Sequence, residues 1–140
     1  MGGNALTYLM DTSVWLRAIV EPETLPVELR DILNARDEPF GLAAISLWEV
    51  GKKQQIGKLK LKKELGIWLQ EAVAVNVEIL PLTHEIVSEA MRLPNFPNRD
   101  PADELIVATA RIHQLILLTT DSMLKGYRHA RVRYFKPLLG

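Results

Sequence analysis

Short apolar runs that alternate with segments of helical spacing constrain this chain more than any other feature. The run Ala5 to Met10 reads as a buried strand ending at Asp11, and Val14, Trp15, Ala18 and Ile19 then recur at helical spacing until Glu21-Pro22. Pro26 suits the first turn of a second helix that reaches about Arg36. Phe40 to Ile45 reads as a second strand, and Ser46 to Ile56 as a helix broken by Gly57. Leu61, Leu65, Trp68, Leu69, Ala72 and Val73 form the apolar stripe of a further helix. Val77 to Leu80 makes a third strand, and Ile86, Val87, Ala90 and Met91 the core face of the next helix. Residues 94 to 100 hold two prolines and read as a loop; Pro101 opens a helix to about Gln114. Leu115 to Thr119 is a fourth strand, with Arg131 to Phe135 as a possible fifth. A strand that returns parallel to its predecessor needs a crossover, here a helix. The expected architecture is therefore a three-layer α/β fold, with a central mostly parallel sheet of four to five strands and helices on both faces. At 140 residues the expectation is a single domain over 1–140, with residues 1–4 as a flexible tail.

Composition removes several chemistries. The absence of cysteine excludes thiol catalysis, Cys-ligated zinc, iron–sulfur clusters and disulfide scaffolds, and fits a reducing, cytoplasmic setting. No apolar run approaches the roughly 20 residues of a membrane span, and no signal peptide is evident at the amino terminus. A Gly-x-Ser-x-Gly elbow and a phosphate-cradling Gly-rich loop are both missing, and His84, His113 and His129 show no metal-ligand spacing. The zero formal net charge conceals segregation. Residues 52 to 63 carry six lysines and no acid, the segment after Asp121 carries Lys125, Arg128, Arg131, Arg133 and Lys136 with no acid, and residues 21 to 38 are mainly acidic. Such blocks serve either as solvated faces or as local sites for a polyanion.

In an open parallel sheet, ligands bind outside the carboxyl ends of the strands. Five acids fall at those junctions: Asp11 after strand one, Glu49 in the first turn after strand two, Asp100 and Asp103 at the helix after the proline loop, and Asp121 after strand four. Each has a structural reading. Ser46-Leu-Trp-Glu49 matches a capping box, Asp100 before Pro101 an N-cap, and Asp11 and Asp121 could cap the elements behind them. Gathered at one sheet edge, however, these carboxylates would repel one another unless something neutralised them. Without cysteine or paired histidine, the fitting neutraliser is a hard, oxygen-seeking cation, Mg²⁺ or Mn²⁺.

These residues resemble a known family. Leu9-Met10-Asp11-Thr12-Ser13, Ile45-Ser46-Leu47-Trp48-Glu49-Val50, Arg99-Asp100-Pro101-Ala102-Asp103 with Leu105 to Ala110, and Leu118-Thr119-Thr120-Asp121 are similar, in order and spacing, to the four motifs of PIN-domain ribonucleases, and to the VapC toxins of toxin–antitoxin pairs in particular. The resemblance implies that Asp11, Glu49, Asp103 and Asp121 are catalytic, metal-binding acids, with Asp100 as a lower-ranked ligand. It places Thr12, Ser13, Ser46 and Thr120 beside them, orienting carboxylates or metal-bound waters. Glu104 departs from the family, which often has Arg or Gln there. The implied activity is metal-assisted hydrolysis of an RNA phosphodiester. The implied partners are RNA, a small VapB-like antitoxin whose tail fills the acidic cleft, and a second copy in a homodimer.

Lys52, Lys53, Lys58 and Arg128 are candidates to hold flanking phosphates. Trp48 is expected to pack in the core, while Phe96 is either a core residue or a base-stacking one. Two rival readings remain: an aspartyl-phosphate enzyme or receiver domain, which lacks its expected second acid near Asp11, and a non-catalytic PIN-like module that binds RNA or protein.

Overall fold

The computed structural model describes residues 6–35, 37–74 and 76–138. The expected amino-terminal tail over residues 1–4 and the start of the first strand at Ala5 lie outside the described residues. Five strands, β1 (Tyr8–Met10), β2 (Phe40–Ala43), β3 (Val77–Leu80), β4 (Ile116–Thr119) and β5 (Val132–Tyr134), form one sheet in the order β3-β2-β1-β4-β5. Every adjacent pair is parallel, with Leu9 opposite Gly41 and Leu117 in its registers and Leu118 opposite Arg133. Arg131 to Phe135 does supply the fifth strand.

Six helices carry the crossovers: α1 (Thr12–Val20), α2 (Val27–Asn34), α3 (Ile45–Gln55), α4 (Leu65–Ala72), α5 (His84–Met91) and α6 (Pro101–His113). Because strand side chains alternate between faces, Met10, Leu42 and Leu118 meet Val14, Trp15, Leu29 and Val50 on one side. Leu9, Ala43 and Leu117 meet Ile106, Val107 and Ala110 of α6 on the other. α5 is one step further out, with Ile86 and Ala90 packed on Ala108. The sheet is therefore covered on both faces, as the alternating pattern requires.

Helix boundaries follow local chemistry. Asp11, Thr83 and Asp100 accept hydrogen bonds from the backbone N–H of Val14, Ile86 and Ala102 at 2.8, 3.2 and 2.9 Å, capping α1, α5 and α6. Gln114 ends α6 at a positive φ of 57°. The expected stripe from Leu61 starts late: Glu64 caps α4 at Ile67, so Leu61 lies before the helix.

Two expectations about α3 are corrected. The helix begins at Ile45 behind a helical Ala44, so Ser46 is inside it and caps nothing. Its hydroxyl is buried and meets Thr12 Oγ1 at 2.7 Å, while Glu49 accepts from that same Thr12 hydroxyl, so no capping box forms. Trp48 is 57% exposed and does not pack in the core. The reason is helical phase: at about 100° per residue, Trp48 lies some 200° from both Ser46 and Val50, which face inward.

Candidate active site at the carboxyl ends of the strands

Strand order reverses beside β1, since β2 lies on one side of it and β4 on the other. The crevice outside the carboxyl ends of β1 and β4 is thus a topological switch point, where ligand sites form in open α/β sheets. Asp11 follows β1 directly, with its N–H bonded to the Leu118 carbonyl at 3.0 Å. Asp121 lies two residues beyond β4 and caps the short turn 122–124 through the Met123 N–H. α3 supplies Glu49, and the first turn of α6 supplies Asp103 behind its cap Asp100.

The carboxyl groups of Glu49, Asp100 and Asp103 each offer an oxygen within 4.8 Å of the other two. Asp100, which the sequence ranks below the others, is inside this close group while also capping α6. Asp11 and Asp121 stand outside it but within its field. Burial is the main influence that pushes the Asp11 carboxyl up, with the charge of Asp121 adding to it; the Thr119 hydroxyl, the Val14 N–H and the Ser13 hydroxyl oppose the shift. Glu49 is raised chiefly by burial and further by Asp100 and Asp11, against the Thr12 hydroxyl and the Lys53 charge. Asp103 is pushed up to about 7, first by burial, then by Asp100, and further by Glu49 and Asp121; an Asn98 hydrogen bond works the other way. Carboxylates that repel one another in a half-buried crevice favour a bound cation, and an all-oxygen donor set fits a hard divalent one.

The polar residues flanking the acids form a connected network. Ser13 donates to Asp11 Oδ1 at 2.8 Å and meets Thr120 Oγ1 at 2.7 Å, while Thr12 joins Ser46 to Glu49. Thr120 therefore reaches Asp11 only through Ser13. Two further participants were not singled out from sequence. Thr119 donates to Asp11 Oδ2 and accepts from the Asp121 N–H at 2.9 Å, tying the ends of β1 and β4 together. Asn98 donates to Asp103 Oδ2 at 2.9 Å and accepts from the Asp100 N–H at 2.9 Å. The available signals were the Thr beside Thr120 in Thr-Thr-Asp, and an Asn two residues before a capping Asp, which is a turn-forming arrangement.

The basic candidates separate. Lys53 stands close enough to Glu49 to act on its charge. Lys52 faces outward, 5.8 Å from the Trp48 ring centroid and bonded to Gln55 Oε1 at 2.6 Å, and Lys58 is exposed in the turn after α3. Arg128 is exposed beside the opposite end of α6, near Arg111 and Gln114. Phe96 packs edge-on against Tyr127, with centroids 5.5 Å apart. An apolar cavity of about 340 Å³ between α1, α2 and α4, lined by Trp15, Ile19, Leu33 and Trp68, contains none of the five acids.

The order of elements and the placing of acids at this switch point have counterparts among known proteins. The family model described as PIN domain matches residues 8–130. The chain is also 33% identical over 125 residues to Ribonuclease VapC22 of Mycobacterium tuberculosis, a match covering 89% of this chain and 95% of that protein. The chain belongs to the PIN domain family. This PIN domain shares its fold with VapBC from Salmonella typhimurium bound to DNA (TM-score 0.71, 17% identity, 92% of this chain and 98% of that one). It is also similar to a toxin–antitoxin complex from Klebsiella pneumoniae (TM-score 0.65, 19% identity, 91% and 96% covered). The four sequence segments that resemble PIN motifs lie in this PIN domain at β1–α1, in α3, at the start of α6 and at the end of β4. No helix among the described residues is long and apolar enough to cross a membrane.

Proposed function

We propose that this PIN domain is a VapC-like toxin, an endoribonuclease that hydrolyses RNA phosphodiesters with Mg²⁺ or Mn²⁺, and that residues 1–140 act as one functional domain. The observation that carries this reading is the close group of Glu49, Asp100 and Asp103 at the switch point, with Asp11 and Asp121 in the same field. A cation held there would supply Lewis acidity, a water activated near neutral pH, and neutralisation of the phosphate's charge.

The chain's own residues supply the rest. Glu49, Asp100 and Asp103 offer ligand oxygens, while Asp11, held by Ser13, Val14 and Thr119, presents a fixed carboxylate at the crevice floor. Asp121 contributes further negative charge from the β4 side. Thr12 and Ser46 orient Glu49, Asn98 orients Asp103, and Thr120 steadies Ser13. Lys53 beside Glu49, together with Lys52 and Lys58, is placed to meet phosphates next to the cut.

Kinship to Ribonuclease VapC22 supports the choice of RNA, and likeness to toxin–antitoxin complexes supports a VapB-like antitoxin partner, a homodimer and a cytoplasmic place of action. The test is incubation of purified wild type and Asp11→Asn with a mixed RNA pool in Mn²⁺, Mg²⁺ or EDTA. Cutting by the wild type alone, lost in EDTA, is the expected outcome. Equal cutting by both proteins would mean a contaminant or another site. Absence of cutting, together with absence of carboxylate-dependent Mn²⁺ binding, would favour the non-catalytic module.

A further inference from the structure

Two cavities lie end to end along one flank of α6. The first, about 620 Å³, runs from Asn95, Pro97 and Met123 to Arg128 and His129. The second, about 560 Å³, shares Arg128 and His129 and continues to Arg111, Gln114 and Arg131. The head of this path adjoins the acidic crevice, because Asn98 holds Asp103 and Asp121 caps Met123. Its far end is the C-terminus of α6, whose 13 residues span about 20 Å.

The lining is unbalanced in charge. Lys125, Arg128, Arg111 and Arg131 face it against a single acid, Glu89, which already holds Arg111 at 2.6 Å and Arg92 at 3.0 Å. Arg111 and Arg131 are further anchored to the backbone carbonyls of His129 and Gln114, which fixes the floor. Arg128 makes no hydrogen bond or ion pair among the described residues and is exposed. Rings line the same route: Tyr127 is braced by Phe96, bonds the Pro94 carbonyl through its hydroxyl at 2.7 Å, and carries the exposed His129 ring edge-on at 5.5 Å. Cations that track a backbone beside rings that stack on bases are the recurring design for single-stranded nucleic acid.

We propose that this groove is an exosite for the single-stranded RNA that flanks the scissile phosphate, with Arg128 as its principal phosphate contact. The assignment rests on the ribonuclease reading for the identity of the polymer, and on the groove's own geometry and charge for its course. A path of about 20 Å needs several nucleotides to fill it, so a very short oligonucleotide engages the acidic crevice without reaching Arg128.

The test is fluorescence anisotropy of a labelled 12-nucleotide single-stranded RNA and of a 3-nucleotide one, in EDTA so that nothing is cut, across a salt series. Wild type, Arg128→Glu, Arg128→Gln and the remote Arg30→Glu are compared, with melting temperatures as the check on folding. Arg128→Glu is expected to weaken 12-nucleotide binding about tenfold and to flatten the dependence of log K on log salt by about 1.4, roughly 0.7 for each unit of charge changed. Arg128→Gln should give about half that flattening, and Arg30→Glu little. The 3-nucleotide RNA should not distinguish the proteins. Identical affinity and salt slope for wild type and both Arg128 variants would overturn the exosite. So would intact RNA binding in an Arg128 variant that has lost a copurifying protein partner or its dimeric state, because the groove would then be a protein interface. Failure of the nuclease reading is separable: a wild type that binds the longer RNA through Arg128 yet cuts nothing in Mn²⁺ keeps the groove and loses the activity.

Discussion

Replacing Asp103 by Asn should make the metal-free protein more stable. The Asp103 carboxyl sits at about 7 against an ordinary 3.8, because it is half-buried and faces Asp100, Glu49 and Asp121. Three pH units at about 1.4 kcal/mol each set a ceiling of about 4 kcal/mol on the cost of ionising it in the folded state. The group is only partly withdrawn from water, so screening reduces the figure to about 2 kcal/mol. Asparagine keeps the shape, and its carbonyl still accepts from Asn98. With an unfolding entropy of about 2.1 cal/mol/K per residue, a 140-residue chain should gain about 7 °C in Tm.

The sign depends on pH in a defined way. Above about 7 the wild-type side chain is ionised folded and unfolded, and the full penalty applies. Between about 7 and 4 the folded chain keeps a proton that the unfolded chain has released, so wild-type stability rises as pH falls and the advantage of Asn shrinks. Below about 4 both states hold the proton and the advantage is gone. Calorimetry in EDTA at pH 8, 6 and 4 reads this directly. Saturating Mn²⁺ should reverse the order at pH 8, because ligand at 100 times its Kd stabilises the wild type by about 2.7 kcal/mol and the variant by less. An Asp103→Asn protein that melts at or below the wild-type temperature in EDTA at pH 8 would show that the carboxylates are not in conflict, and the argument for a cation would lose its basis.

Other outcomes follow from the same geometry. Mn²⁺ affinity by titration calorimetry should fall up to about tenfold per pH unit below about 7, since Asp103 must lose its proton to bind; a flat profile would remove Asp103 from the ligand set. Thr119→Val leaves Asp11 Oδ2 without its buried donor and should cost about 1–2 kcal/mol in denaturant unfolding while raising the Asp11 carboxyl further; wild-type stability would mean that this bond carries nothing. Trp48→Ala should change stability by no more than about 0.5 kcal/mol, whereas Trp15→Ala should cost about 3–5 kcal/mol. Comparable losses at the two positions would contradict the outward placement of Trp48.

Much of the fold was legible because local and global requirements agree. β2, β3 and β4 read as short apolar runs because a parallel sheet covered on both faces needs no polar alternation. Prolines and capping acids marked the starts of α1 and α6, where an Asp side chain serves exposed backbone N–H groups whatever the rest of the molecule does. α3 was less legible. Ser46 and Glu49 have the spacing of a capping box, and only the shift of the helix start to Ile45 turns Ser46 inward against Thr12. Trp48 looked like core by residue type, but its phase relative to Ser46 and Val50 decides otherwise, and phase depends on where the helix begins.

By itself, the amino-acid sequence determined the order of elements, the parallel class of the sheet and the five junction acids. All of these arise from interactions between residues near in the chain, or from the burial pattern of single elements. The tertiary structure alone decided which acids meet. Asp100 joins Glu49 and Asp103 within 4.8 Å, while Asp11 is tied instead to Thr119, 108 residues away. Carboxylate repulsion and burial act through space, and the distances that set them exist only once β1 and β4 lie side by side and α3 and α6 begin at the same edge.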